Sequence, residues 1–103
     1  MHRASLRIPV DHPSFAGHFP GRPLLPGVVL LAEVLEAALA EPALAAAIGR
    51  TPRIASAKFL APVAPGTELT LQLRSSAGRL HFEVWRADKL AAVGQFEPAK
   101  AAA

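Results

Sequence analysis

His18 lies in residues 17–28, the part of this 103-residue chain that is densest in proline and glycine. The segment begins with Gly17, directly before the histidine, and ends with Pro26, Gly27 and Val28. An imidazole has a pKa suited to a general base near neutral pH. A helix that begins at Pro26 would offer free backbone N–H groups and the positive end of its dipole, which stabilise a negatively charged oxygen. The segment therefore combines a candidate base with a candidate oxyanion site.

Other chemistries find less support in the sequence. Asp11, His12 and His18 match no strong metal-binding spacing, so we expect no metal. The chain has no cysteine, which excludes disulfides, thiolate zinc sites and cysteine nucleophiles. The serines lack a Gly-x-Ser-x-Gly context, which argues against a serine hydrolase. The net charge is +3, but the basic residues are scattered and aromatic residues are few, so we expect no nucleic-acid partner.

Hydrophobic periodicity predicts the elements that surround this segment. Alternation favours a strand over residues 5–10, and the breakers that follow predict a loop over residues 11–26. The apolar stripe of residues 27–39 predicts a helix, with a further short helical turn over residues 43–48. Alternation predicts four more strands, over residues 53–60, 68–74, 80–86 and 90–96. Turns are expected at residues 75–78 and 88–89, and a frayed tail at residues 98–103.

This order of elements predicts an α+β fold in a single domain spanning residues 1–103. One long helix cannot cover both faces of an antiparallel sheet, so we expect the sheet to curl around a central helix. A small sheet with unpaired edges also favours a homodimer or a higher homo-oligomer.

Two segments resemble those of the bacterial 3-hydroxyacyl-acyl carrier protein dehydratases. Residues 17–28 read GHFPGRPLLPGV and are similar to the central motif of that family. Residues 57–66 read AKFLAPVAPG and are similar to its second recurrent segment. The resemblance implies the hot-dog fold, a dimer with sites at the subunit interface, and removal of water from a 3-hydroxyacyl thioester. It also implies a substrate carried by acyl carrier protein or coenzyme A, with no further cofactor.

The resemblance assigns roles to individual residues. It implies that His18 takes the proton next to the thioester carbonyl, while the N–H groups of Gly27 and Val28 bind the carbonyl oxygen. The remaining substrate-binding residues are then Phe19, Pro26 and Ala32. Candidates for lining an acyl tunnel, although residues of this type are more often plain core, are Leu24, Leu25, Leu31 and Phe59.

The chain departs from the family where the catalytic acid is expected. The family has Glu or Asp fourteen residues after the histidine, donated from the other subunit, and this chain has Ala32 there. Glu33 points ~100° away around the helix, whereas Glu36 lies within ~40° of the Ala32 direction and ~6 Å further along the axis. Glu36 is therefore the candidate acid of this chain, and the alternative is that it belongs to a solvated helix face.

Three functions follow from these residues. The first is a 3-hydroxyacyl-thioester dehydratase-like protein of fatty-acid or related acyl-chain biosynthesis. The second is a hot-dog acyl thioesterase, and the third is a non-catalytic acyl-carrier-binding partner subunit that has lost the acid. The chain has no signal-like N-terminal segment and no apolar run of membrane-spanning length, so we expect a cytoplasmic protein without a membrane partner.

Overall fold

The computed structural model describes residues 2–9, 25–49, 51–64 and 66–99. These residues contain five strands and two helices. In chain order the elements are β1 (His2–Arg7), α1 (Gly27–Leu39), α2 (Pro42–Ile48), β2 (Arg53–Phe59), β3 (Glu68–Ser76), β4 (Arg79–Arg86) and β5 (Lys89–Glu97). The strands form one antiparallel sheet in the order β1-β3-β4-β5-β2.

One face of the sheet is apolar because alternate residues of its strands are hydrophobic. Leu71 of β3 lies opposite Val84 of β4 and Ala4 of β1, and side chains of directly opposed residues share a face. The buried side of α1 joins this face in a single core. The α1 residues that enter the core are Leu30, Leu31, Val34 and Ala38. The predicted arrangement of one long helix against the inner face of an antiparallel sheet is therefore present.

Two prolines set the limits of the helices. Pro26 is the N-cap of α1, and its extended backbone (φ −60°, ψ 144°) leads the chain into the helix. Pro42 begins α2, where its missing N–H removes no helical hydrogen bond. Gly49 then ends α2 with a positive φ of 75°. Neither described helix has the length and hydrophobicity that a membrane crossing requires.

The strand β2 lies at the sheet edge and is exposed along its whole length. Within the described residues it pairs only with β5. Ile54 and Phe59 of β2 lie opposite Phe96 and Ala92, so they belong to the inner face, yet they are 51% and 49% exposed. The helix does not cover this part of the sheet.

An exposed stripe of α1, containing Val28, Ala32 and Leu39, is also left uncovered. We call Val28, Ala32, Leu39, Ile54 and Phe59 together the α1–β2 surface.

The structure corrects the predicted ends of several strands. β1 covers residues 2–7 rather than 5–10, because His2 already pairs with Leu73 of β3. The turn predicted at residues 75–78 is only Ala77-Gly78, with φ values of 54° and 76°. Two positive φ angles suit a tight two-residue hairpin, so the polar residues 75 and 76 remain paired in the strand. The next turn is Ala87-Asp88 rather than residues 88–89, and there Ala87 has a positive φ of 53°.

Gly94 of β5 is expected to be required for the packing of the sheet. A Cβ at this position would approach a ring carbon of Phe82 to 2.6 Å and would collide with the carbonyl oxygen of Ser56. Gly94→Ala should therefore lower the free energy of unfolding by about 1–3 kcal/mol, the usual cost of overpacking. Urea denaturation measures the change. The control Lys58→Ala, at an exposed position on the outer face of β2, should stay within about 0.5 kcal/mol of wild type. Equal stability of the two variants would contradict this explanation.

Candidate functional site

A cavity of about 660 Å³ opens at the N-terminus of α1. Residues 25–28 and Leu30 form one wall, and residues 59–63, which follow from the end of β2, form the other. All ten of these residues are apolar side chains or glycine. The cavity is therefore suited to an uncharged carbon chain, and its polar groups are those of the backbone.

Backbone hydrogen bonds hold the two walls of the cavity together. The Leu25 N–H donates to the Val63 carbonyl over 2.8 Å, which joins the start of the helix to the opposite wall. The Leu60 N–H donates to the Ala91 carbonyl over 2.8 Å, which fixes that wall to β5. The Arg86 guanidinium donates to the Pro62 carbonyl over 3.0 Å. These hydrogen bonds thus fix both walls of the cavity to the rest of the fold.

The first turn of α1 contains backbone donors for which the described residues provide no acceptor. The Val29 and Leu30 N–H groups donate to the Pro26 carbonyl over 3.0 and 3.1 Å. No backbone acceptor in the described residues receives the N–H groups of Gly27 and Val28, as expected at a helix start. No side chain caps the helix, and its first turn carries no acidic residue. The helix start, with the positive end of its dipole, therefore adjoins an apolar cavity, which is an arrangement that can stabilise an oxyanion.

Phe59 lies directly against the helix start. A Cβ built on Gly27 would meet three carbons of the Phe59 ring at 2.7, 2.8 and 3.1 Å. The ring therefore occupies the space that any larger residue at position 27 would need. Glycine at this position lets an aromatic ring approach the helix backbone at the Gly27 and Val28 N–H groups.

A second cavity of about 310 Å³ continues along the exposed side of α1. Val28 lines both cavities, so the two are adjacent. Ala32 lines the second cavity, which lies between α1 and the start of β2. Glu36 is exposed and belongs to the same helix stripe as Val28 and Ala32, but it is not among the lining residues of either cavity.

The structure brings together part of the predicted site. Pro26, Gly27 and Val28 line the first cavity, and Ala32 lines the second. Of the candidate tunnel residues, Leu25 and Phe59 line the first cavity and Leu31 the second. His18, Phe19, Leu24 and the metal candidates Asp11 and His12 lie outside the described residues.

Sequence reasoning did not find Arg86 or Leu60. Arg86 contributes through a hydrogen bond to a carbonyl 24 residues away in the chain, and no local pattern encodes such a contact. The sequence predicts Leu60 as the last residue of a strand, whereas β2 ends at Phe59, and its place on the cavity wall depends on the pairing of β2 with β5.

Comparisons with known proteins point to one family. The family model described as ApeI-like, ApeI dehydratase, matches residues 1–95. The 3-hydroxyacyl-[acyl-carrier-protein] dehydratase FabZ of Verminephrobacter eiseniae is 35% identical over an alignment covering 89% of this chain and 65% of the relative. The FabZ of Legionella pneumophila is 32% identical over 82% of this chain and 64% of the relative. The chain thus spans slightly less than two thirds of these relatives.

Solved structures agree on the fold. The dehydratase heterocomplex ApeI:P from Xenorhabdus doucetiae superposes with a TM-score of 0.75 at 29% identity, covering 94% of this chain and 93% of that one. A variant of the fluoroacetyl-CoA-specific thioesterase FlK superposes with a TM-score of 0.64 at 14% identity, covering 93% and 84%. The second likeness concerns the fold alone. The predicted α+β hot-dog fold is confirmed.

The contact between Gly27 and Phe59 predicts energetic coupling between these residues. Gly27→Ala must displace the ring in the wild-type background, whereas its methyl group has space in the Phe59→Ala background. A double-mutant cycle of unfolding free energies should therefore give a coupling of about 0.5–3 kcal/mol, the range of residues in contact. The same cycle with Leu60→Ala, which removes another residue of the wall, should give a much smaller value. Additive effects of Gly27→Ala and Phe59→Ala would contradict the contact.

Proposed function

Because this chain belongs to the ApeI-like dehydratase family, we propose that it is a 3-hydroxyacyl-thioester dehydratase-like protein. Its substrate would be an acyl chain carried on the phosphopantetheine of acyl carrier protein or coenzyme A. The observation that carries the proposal is the N-terminus of α1, where Gly27 and Val28 line an apolar cavity and their N–H groups have no backbone acceptor within residues 2–9, 25–49, 51–64 and 66–99. That arrangement offers a carbonyl oxygen two donors and offers the acyl chain an apolar wall.

The proposed reaction uses the chain's own groups and no further cofactor. The imidazole of His18 accepts the proton from the carbon next to the thioester carbonyl. The electron pair of the broken C–H bond moves toward the carbonyl oxygen, where the Gly27 and Val28 N–H groups stabilise the negative charge. The pair then forms the new C=C bond as the hydroxyl group leaves. An acid must give that hydroxyl a proton, so that it departs as water.

The scheme requires a group that donates this proton to the leaving hydroxyl. Ala32 lines the cavity next to the helix start but has no proton to donate. Glu36, one turn further along the stripe, lines neither cavity. These positions support the proposal that a partner subunit supplies the acid, rather than Glu36 of the same chain.

The α1–β2 surface supports an assembly. Val28 is 74% exposed, and Ile54 and Phe59 are about half exposed, beside an edge of β2 that pairs with no other strand in the described part of the chain. We propose that a second hot-dog subunit covers this surface, as a homodimer of this chain or in a mixed complex. The ApeI:P relative is a heterocomplex, which supports the mixed complex. In that case this chain would be the acyl-carrier-binding partner that has lost the acid.

The thioesterase alternative receives less support. The FlK likeness concerns only the fold, and none of its chemistry carries over. We also propose a cytoplasmic location for this chain. Such a location fits the acyl-chain chemistry that its likeness to the FabZ relatives supports.

The proposed function predicts a reversible reaction with a specific base. Because the isolated chain has Ala32 where the acid is expected, the assay uses the Ala32→Glu variant, which should interconvert 3-hydroxyacyl and 2-enoyl thioesters without releasing free thiol. His18→Ala should lower this rate by roughly two to four orders of magnitude, the usual contribution of general acid–base catalysis. The control His81→Ala removes a histidine from the outer face of β4 and should leave the rate unchanged. Thiol release without hydration would indicate a thioesterase and contradict the proposal.

The missing acid predicts a gain of function. Ala32→Glu places a carboxyl group beside the helix start and should raise the rate of the isolated chain by roughly two orders of magnitude or more. Glu36→Gln should have little effect. Ala46→Glu, at an exposed position of α2, controls for the added charge. Sedimentation of the same samples reports whether two copies associate. Loss of activity in Glu36→Gln, with no gain in Ala32→Glu, would show that Glu36 is the acid.

A further inference from the structure

Phe59 fixes the width of the cavity at the start of α1. Its ring carbons lie 2.7, 2.8 and 3.1 Å from the position of a Cβ on Gly27, so the ring rests on the helix backbone. The ring is also 49% exposed and lines the cavity. Beside the Gly27 and Val28 N–H groups, the Phe59 ring therefore forms the wall of the cavity on the side of the sheet.

The neighbours of Phe59 on the inner face of the sheet are small. The residue opposite it on β5 is Ala92, and the preceding inner-face pair is Ala57 with Gly94. Among the four residues of these two pairs, Phe59 is thus the one with a bulky side chain. Replacing its ring would leave a wall of methyl groups and backbone, and the space beside Gly27 would open.

We propose that Phe59 is a specificity-determining residue that selects acyl thioesters without a branch at carbon 2. The inference rests on the proposed function, because it places the thioester carbonyl at the Gly27 and Val28 N–H groups. Carbon 2 is bonded directly to the carbonyl carbon, so it lies beside the helix start, next to the ring. A hydrogen atom on carbon 2 fits there, whereas a methyl group must displace the ring.

A binding experiment tests this selection without requiring catalysis. The ligands are two pantetheine ketones, in which a methylene group replaces the thioester sulfur, one unbranched and one with a methyl group at carbon 2. Calorimetry on the full chain should show that wild type favours the unbranched ligand by roughly 10–200-fold, the range for one methylene-sized group in an apolar pocket. Phe59→Ala should reduce this preference to about threefold or less, and Phe59→Leu should give an intermediate value.

The controls separate selection from stability. Leu39→Ala removes an exposed hydrophobic side chain that lines neither of the two cavities beside α1 and should keep the wild-type preference. Circular dichroism establishes that each variant is folded. If Phe59 had a purely structural role, its replacement would weaken the binding of both ketones equally. The ratio of their two affinities would then stay unchanged. An unchanged preference in Phe59→Ala, or no preference in wild type, would overturn the inference. Failure of wild type to bind either ligand would instead overturn the proposed function.

Discussion

The site depends on the hydrogen bond from the Leu25 N–H to the Val63 carbonyl (2.8 Å). It joins the residue before the α1 N-cap to the segment that follows β2, although these lie 38 residues apart in the chain. A single such bond contributes only about 1 kcal/mol net to stability. Its importance is geometric, because it sets the helix start opposite residues 59–63. The bond from Leu60 to Ala91 then fixes those residues to the sheet.

This arrangement divides the sheet into a covered part and an uncovered part. The buried side of α1 joins the inner face of the sheet in the core, whereas β2 projects beyond the helix with both faces exposed. The cavities lie along that boundary, between α1 and the β2 edge. The proposed reaction centre and the proposed subunit interface therefore share the same surface. Ala32, the position at which the resemblance implies the acid, lies on this surface, so a group from a neighbouring subunit could reach it.

The sequence predicted the fold well where one residue type determined the outcome. Alternating leucines in β3 identified a strand, and Pro26 and Gly27 identified the start of α1. Turn positions were less predictable. Ser75 and Ser76 have turn-forming side chains but pair with β4, because Ala77 adopts a positive φ that alanine seldom takes.

The site was predictable in its helix and less so in its opposite wall. The resemblance pointed to Gly27 and Val28, which do line the cavity. The packing of Phe59 on Gly27 depends on the pairing of β2 with β5, which no local pattern reveals. The same holds for the bond from Arg86 to Pro62. The roles of His18 and Glu36 stay predictions.

The central claim is that the free N–H groups at the start of α1 bind the thioester carbonyl. Backbone amide NMR of the ¹⁵N-labelled protein, titrated with an unbranched acyl-pantetheine ketone, tests it most directly. The account predicts that the largest amide proton shifts occur at Gly27 and Val28, while the amides of β3 on the far side of the sheet stay unchanged. Saturable binding that leaves both of these amides unaffected would contradict it.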